Sequence, residues 1–212
     1  MNLIEFRDIA KHYGSHMIFN NLNLNVRAGT MLAITGKSGS GKTTILNMMG
    51  LLEKPDAGTV QICGKKGVRP NSQQSEKILR NHIGYLFQNY ALLEEESIDH
   101  NLEIALFYNN SNRSTKQKLK QNALDAVLLS NSITQKVYEL SGGEQQRVSI
   151  ARLLLKPFDI VLADEPTGSL DQDNRTTIIE LLKSLKSRGK TIVIATHDPY
   201  VFNQCDECIE LK

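Results

Sequence analysis

The sequence has little net charge, few cysteines and no long apolar run. Among its 212 residues, 25 Lys and Arg stand against 23 Asp and Glu, a formal net charge of +2, so no basic surface argues for a nucleic-acid partner. No apolar stretch approaches the roughly 18 residues needed to span a bilayer. The polar Asn2, Glu5, Arg7 and Asp8 are incompatible with a signal segment at the start. Three cysteines are too few for a disulfide framework and suit a reducing compartment. Cys205 and Cys208 form a C-x-x-C pair with no second ligand pair and no βαβ setting, so they are expected as thiols packed in a last strand. Internal repeats and low-complexity tracts are also absent. What remains is a chain long enough for one substantial domain with an inserted lobe.

The most informative stretch present is Gly36-Lys37-Ser38-Gly39-Ser40-Gly41-Lys42-Thr43-Thr44, which fits the phosphate-binding pattern G-x-x-x-x-G-K-[ST]. Thr30 to Thr35 before it is a continuous apolar run, the pattern of a buried parallel strand. After it, Ile45, Met48, Met49 and Leu52 fall on one face of a helix. Strand, glycine loop and helix are the setting this motif needs. The glycines let backbone N–H groups turn inward around a polyphosphate, and the helix N-terminus adds favourable partial charge. Lys42 can reach the outer phosphates, and the Thr43 hydroxyl can ligate Mg²⁺.

Around this loop the pattern predicts a first strand over Leu3–Ile9 and a second over Leu22–Val26, alternating and wet on one face. Between them lies Lys11-His12-Tyr13-Gly14, in which Tyr13 reads as a loop aromatic. Pro55–Gly58 reads as a turn, Thr59–Cys63 as a strand and Gly64–Ser75 as a surface loop. Ile83–Phe87 is a further strand, ending on Gln88. From about residue 89 to 155 the pattern turns helical, with the basic run Arg113–Lys120 expected as a solvated helix face. Strands return at Phe158–Ala163 and Thr191–Ala195, with a helix carrying Ile178, Ile179, Leu181, Leu182 and Leu185 between them. The fold class is α/β: a mainly parallel sheet, an N-terminal antiparallel β edge and an inserted α-helical subdomain over about 89–155, all within one unit spanning 1–212.

Two further stretches carry chemistry. Phe158–Ala163 runs into Asp164 and Glu165, and ligands of open parallel sheets gather beyond the carboxyl ends of the strands. Asp164 suits Mg²⁺ coordination, and Glu165 can take a proton from a water attacking the terminal phosphorus. His197 ends the next strand on the same side. The second stretch is Leu140-Ser141-Gly142-Gly143-Glu144-Gln145-Gln146-Arg147, in which Ser and two glycines open a helix and so form a second anion site. One nucleotide does not need two such sites; the resolution is that each chain caps the nucleotide held by another copy. The absence of an N-K-x-D guanine motif disfavours a GTPase.

Together, the phosphate loop, L-S-G-G-E-Q-Q-R and L-A-D-E-P resemble the ATP-binding cassette (ABC) ATPases over essentially the whole chain, with no motif position degenerate. The resemblance implies that ATP and Mg²⁺ are bound and that Tyr13 stacks on adenine. It makes Gln88 the glutamine that contacts Mg²⁺ and the lytic water. Ser141, Gly142 and Gly143 become the signature completing the opposite subunit's site, Asp171 the aspartate at the dimer seam, and His197 the switch histidine. Pro166-Thr167-Gly168-Ser169-Leu170-Asp171 resembles the branch of lipoprotein-releasing, macrolide-export and antimicrobial-peptide export ATPases, which more often has Asn at position 169. The implied function is an ATP-hydrolysing homodimer on the cytoplasmic face of the cell membrane. It would drive a separate membrane permease for export or extraction of a peptide, lipoprotein or drug. The alternative within the family is a non-transport ATPase driving a membrane signalling partner. A groove for a membrane-subunit helix is expected near Asn89–Leu93, where Leu92 and Leu93 are either a docking patch or lobe core.

Overall fold

Met31–Gly36 forms the third strand of the chain, β3, and all but Gly36 is buried, as an apolar run covered on both faces requires. The computed structural model describes residues 1–211. In them β3 lies in a five-stranded sheet with β6 (Ile83–Leu86), β7 (Ile160–Asp164), β8 (Thr191–Ala195) and β9 (Glu207–Leu211). The order is β6-β7-β8-β3-β9, and every pairing is parallel. Long β1 (Asn2–Tyr13) and β2 (His16–Arg27) pair antiparallel and join β4 (Ala57–Ile62) and β5 (Lys65–Lys66) in a second sheet, β2-β1-β4-β5.

Because side chains alternate along a strand, the parallel sheet feeds two cores. Leu32, Ile34, Leu162 and Val193 pack with helix α1 (Lys42–Met49) and with Ile4, Phe6 and Ile62 of the antiparallel sheet. Met31, Val161, Ala163, Ile192 and Ile194 face the other way. There they meet α5 (Gly142–Leu154), α6 (Gln172–Ser187) and the helical lobe. The lobe holds α3 (Ile98–Ala105), α4 (Arg113–Ala126) and a 3₁₀ turn at Val137–Glu139. The elements are completed by α2 (Gln73–Asn81) and the short α7 (Pro199–Phe202).

Several expectations change. Lys11, His12 and Tyr13 lie in β1, so Tyr13 sits at the tip of a hairpin and not in a loop between strands. The stretch expected as a surface loop contains β5 and the start of α2, whose Ser72–Ser75 capping box overrides the polar composition. Leu52 leaves the buried helix face, because α1 ends at Met49 and the chain turns at Leu51 (φ +53°), exposing Leu52. Within the basic run, Lys120 is buried and bonded to Asp99 (2.8 Å) and Glu103 (2.7 Å), an internal brace between α4 and α3. Cys208 does lie in the last strand, but it is exposed there, and half-buried Cys205 precedes the strand.

Candidate functional site

β3, β6, β7 and β8 run parallel, so the residues after each emerge at one end of the sheet. The glycine loop follows β3, Gln88 follows β6, Glu165 follows Asp164 at the end of β7, and Thr196 and His197 follow β8. A cleft of about 600 Å³ opens there, lined by Gln88, Asp164, Glu165, Ser169 and His197 among others.

The glycine loop is prepared for an anion. Side chains cap α2 to α7, through Ser72, Ser97, Asn112, Ser141, Asp171 and Asp198, but none caps α1. The N–H groups of its first turn are therefore open to a phosphate. The Lys42 ammonium folds back onto the loop, donating to the carbonyls of Gly36 (2.9 Å) and Lys37 (3.1 Å). The Ser40 hydroxyl is buried without a partner. Gly41 at φ +93° turns the loop into the helix, and a Cβ there would lie 2.4 Å from the Phe19 ring, so β2 presses on the loop from outside. Lys37, Ser38 and Gly39 at its crest stand exposed, while Thr44 turns into the core.

Asp164 is buried, and burial raises its carboxyl above the ordinary range; the Thr43 hydroxyl and Lys42 pull it back down, and neighbouring Glu165 raises it. A buried acid short of positive charge, beside a hydroxyl and the side chain of Gln88, fits a hard divalent cation. Among the described residues no group of three or more His, Cys, Asp or Glu could hold a metal alone. Mg²⁺ is held through one or two carboxylates plus phosphate and water, and Asp164 with the Thr43 hydroxyl offers oxygen donors of that kind.

Glu165 has φ +43°, a backbone state costing a non-glycine residue about 1 kcal/mol or more. It is held there from both sides. Its N–H donates to Ala195 O (2.9 Å), its Oε2 accepts from the Thr196 hydroxyl (3.1 Å), and its Oε1 lies 2.7 Å from His197 Nδ1. Thr196 was not singled out from sequence; its position between two strand-end residues was the available signal. Gln146, in the signature helix, is likewise buried and donates to Pro166 O (2.9 Å), bracing the turn after Glu165.

Tyr13 stands 49% exposed at the hairpin tip, its hydroxyl 2.6 and 2.7 Å from the two Glu53 carboxylate oxygens, with Thr44 of α1 close by. The signature lies elsewhere. Ser141 caps α5 in a reciprocal box with Glu144, Gly142 faces Tyr90 and Leu170, and Gly143 is covered by Asn174. Asp171 caps α6, accepting from the backbone and side chain of Asn174 (2.9 and 2.7 Å), and these bonds hold its carboxyl below the ordinary range. Ser141, Gly142, Gly143 and Asp171 thus gather in a second cluster, none of whose hydrogen bonds reaches Gly36–Thr44.

A protein-family model described as "ABC transporter" matches residues 19–168. The chain belongs to the ABC transporter family. It is 40% identical over 195 residues to the macrolide export ATP-binding/permease protein MacB 2 of Yersinia pestis, covering 92% of this chain and 29% of the relative. It is 37% identical over 210 residues to MacB of Campylobacter jejuni, covering 99% and 33%. The chain therefore spans about a third of the length of the curated relatives it matches. Its fold superposes on the dimeric bacterial ABC transporter cassette MJ0796 with a TM-score of 0.90 and 36% identity, covering 99% of this chain and 94% of that one. Another MJ0796 structure, a dimeric post-hydrolysis state bound to ADP and Pi, matches at 35% identity and a TM-score of 0.90.

Proposed function

We propose that this cassette hydrolyses Mg²⁺-ATP as a homodimer and drives a membrane permease that exports, or extracts from the membrane, a peptide, lipoprotein or drug. The observation that carries the reading is the uncapped N-terminus of α1, with Lys42 and buried Asp164 at its mouth. Tyr13 stacks on adenine, and the backbone of Gly36–Thr44 with Lys42 holds the phosphates. Thr43, Asp164 and Gln88 would hold Mg²⁺. Bound Mg²⁺ would supply positive charge to the phosphate oxygens. Glu165 accepts a proton from the attacking water as its oxygen bonds to the γ-phosphorus and the bond to ADP breaks. Thr196 and His197 aim that carboxylate. Ser141, Gly142, Gly143 and Asp171 serve the nucleotide of a second copy. This is supported by their separation from their own glycine loop and by the dimeric state of MJ0796.

No helix among the described residues is long and apolar enough to cross a membrane. In this reading the permease holds the cassette at the cytoplasmic face of the membrane. The surface that suits it is a groove of about 930 Å³ between α2, α3 and α5. Phe107 (76% exposed) and Tyr108 (63%) flank the groove, and the Arg80 guanidinium lies 3.6 Å over the Tyr108 ring. Exposed aromatics and arginine around a concavity are the composition of a docking surface. The groove takes in Phe87 but not Asn89–Leu93, where Leu92 packs against the core and only Leu93 of the two leucines is exposed.

Titration calorimetry with Lys42→Ala tests the phosphate loop. Loss of a charge-assisted contact of about 1.5–3 kcal/mol should weaken ATP about 10- to 100-fold. Equal affinity in mutant and parent would overturn the assignment.

A further inference from the structure

Both oxygens of Glu53 lie on the Tyr13 hydroxyl, at 2.6 and 2.7 Å, although the tyrosine is half exposed on a hairpin tip. The carboxylate is itself fixed. Lys11, buried and on the same face of β1 two residues before Tyr13, reaches Glu53 Oε1 at 2.8 Å and the Lys54 carbonyl at 3.1 Å. Asp56, 3.8 Å from the same ammonium, accepts the His12 N–H at 2.7 Å. The turn that leaves α1 is thus stapled to the end of β1, and Glu53 N–H returns to Asn47 O in α1 (3.3 Å).

We infer that Glu53, backed by Lys11, is a positioning residue for the nucleotide base: it locks the Tyr13 ring in its stacking orientation before nucleotide arrives. The inference rests on the reading of Tyr13 as the adenine platform. Its physical content is preorganisation. An exposed tyrosine must freeze two side-chain torsions to stack, and a hydroxyl already bound by a fixed carboxylate has frozen them in advance. The eight residues of α1 extend about 12 Å, so one short helix sets both ends of the nucleotide. Its first turn receives the phosphates, and the turn after its last residue holds the platform. The hydroxyl proton is also committed to Glu53, and the Lys11 ammonium lies over the ring at 5.1 Å, so what Tyr13 offers to a base is the opposite ring face. Adenine and guanine nucleotides should therefore gain alike from this network.

Calorimetry with ATP and GTP on Tyr13→Ala, Tyr13→Phe, Glu53→Ala, Glu53→Gln and the double variant Tyr13→Phe/Glu53→Ala tests it. Tyr13→Ala should weaken ATP about 10- to 100-fold through lost stacking. Tyr13→Phe and Glu53→Ala should each weaken ATP and GTP about 3- to 10-fold, and the double variant no more than either single change. Glu53→Gln keeps an acceptor for the hydroxyl and should recover most of the loss. A full Glu53→Ala effect persisting in the Tyr13→Phe background would make Glu53 merely structural and overturn the inference. So would parent-like affinity in Tyr13→Phe and Glu53→Ala while Tyr13→Ala is impaired. Parent-like affinity in Tyr13→Ala would remove the platform reading itself. If Glu53→Ala fails to fold, Tyr13→Phe and Glu53→Gln decide, since the first touches only an exposed hydroxyl and the second keeps the side chain's shape.

Discussion

Replacing Glu165 by Gln separates holding ATP from cleaving it. The amide has nearly the same volume and keeps an oxygen for the Thr196 hydroxyl, but it cannot take a proton from water. It also ends the close approach of a carboxylate to His197 Nδ1 at 2.7 Å. General-base catalysis contributes about 10²–10⁴-fold, or about 2.7–5.5 kcal/mol of barrier, so phosphate release should fall by at least 100-fold. ATP should still bind, because Lys42, Thr43 and Asp164 are untouched and one negative charge beside the phosphates is gone. The uncleaved state should then accumulate as a dimer: gel filtration should show monomer without nucleotide or with ADP, and dimer with ATP. The second element of the test must avoid Gly143. A Cβ there would sit 2.2 Å from Asn174 Oδ1 of its own chain, so a substitution must push the Asn174 side chain off Asp171 and Arg147 and does not report on the seam alone. Ser141→Asp keeps a cap for α5 while placing a negative charge where the hydroxyl would face a phosphate; because it also sets a carboxylate against Glu144, which accepts from the Ser141 hydroxyl at 2.8 Å, its melting temperature must first match that of Ser141→Asn. Glu165→Gln/Ser141→Asp should bind ATP and stay monomeric, with Ser141→Asn as the uncharged control that still dimerises. Hydrolysis within about 3-fold of the parent in Glu165→Gln would refute the general base. A double variant that still dimerises with ATP would refute the action of Ser141 across the seam.

Two further predictions concern the groove and the lobe. Phe107→Glu, at a position 76% exposed, should leave far-UV circular dichroism and the melting temperature unchanged. It should weaken co-purification with the permease by about 30-fold or more; undiminished capture would place the docking surface elsewhere. In the lobe, hydrogen bonds from Lys120 and Lys116 hold the Glu103 carboxyl below its ordinary value of 4.5. A depressed folded value means stability fully present above that ordinary value and lost as pH falls through the folded one. The urea midpoint should therefore drop below about pH 4.5, and Glu103→Gln should flatten that drop; equal pH slopes in both proteins would exclude Glu103 as a contributor.

Much of the site was legible because its chemistry is local in sequence. A phosphate loop needs consecutive residues to wrap one anion, so Gly36–Thr44 announces itself, and the run Met31–Thr35 declares a strand buried on both faces. Asp164, Glu165 and His197 could be assigned to the same end as the loop, because parallel strands deliver their carboxyl ends to one side. The partners of these residues were not legible. Thr196, Gln146 and Glu53 act through contacts set by strand order and by where α1 ends, and no spacing rule encodes a bond from residue 13 to residue 53. Composition misled where a tertiary partner overruled it: Lys120 looked solvated until Asp99 and Glu103 enclosed it, and Leu52 looked buried until the turn at Leu51 swung it outward. By itself the sequence determined the α/β class, the glycine loop between strand and helix, and the two acids at the end of their strand, through periodicity and contiguous motifs. The tertiary structure alone decided how the Glu165 carboxylate is aimed, that Asn174 covers Gly143 and where the exposed aromatic groove lies. Each depends on side chains far apart in the chain meeting across packed elements.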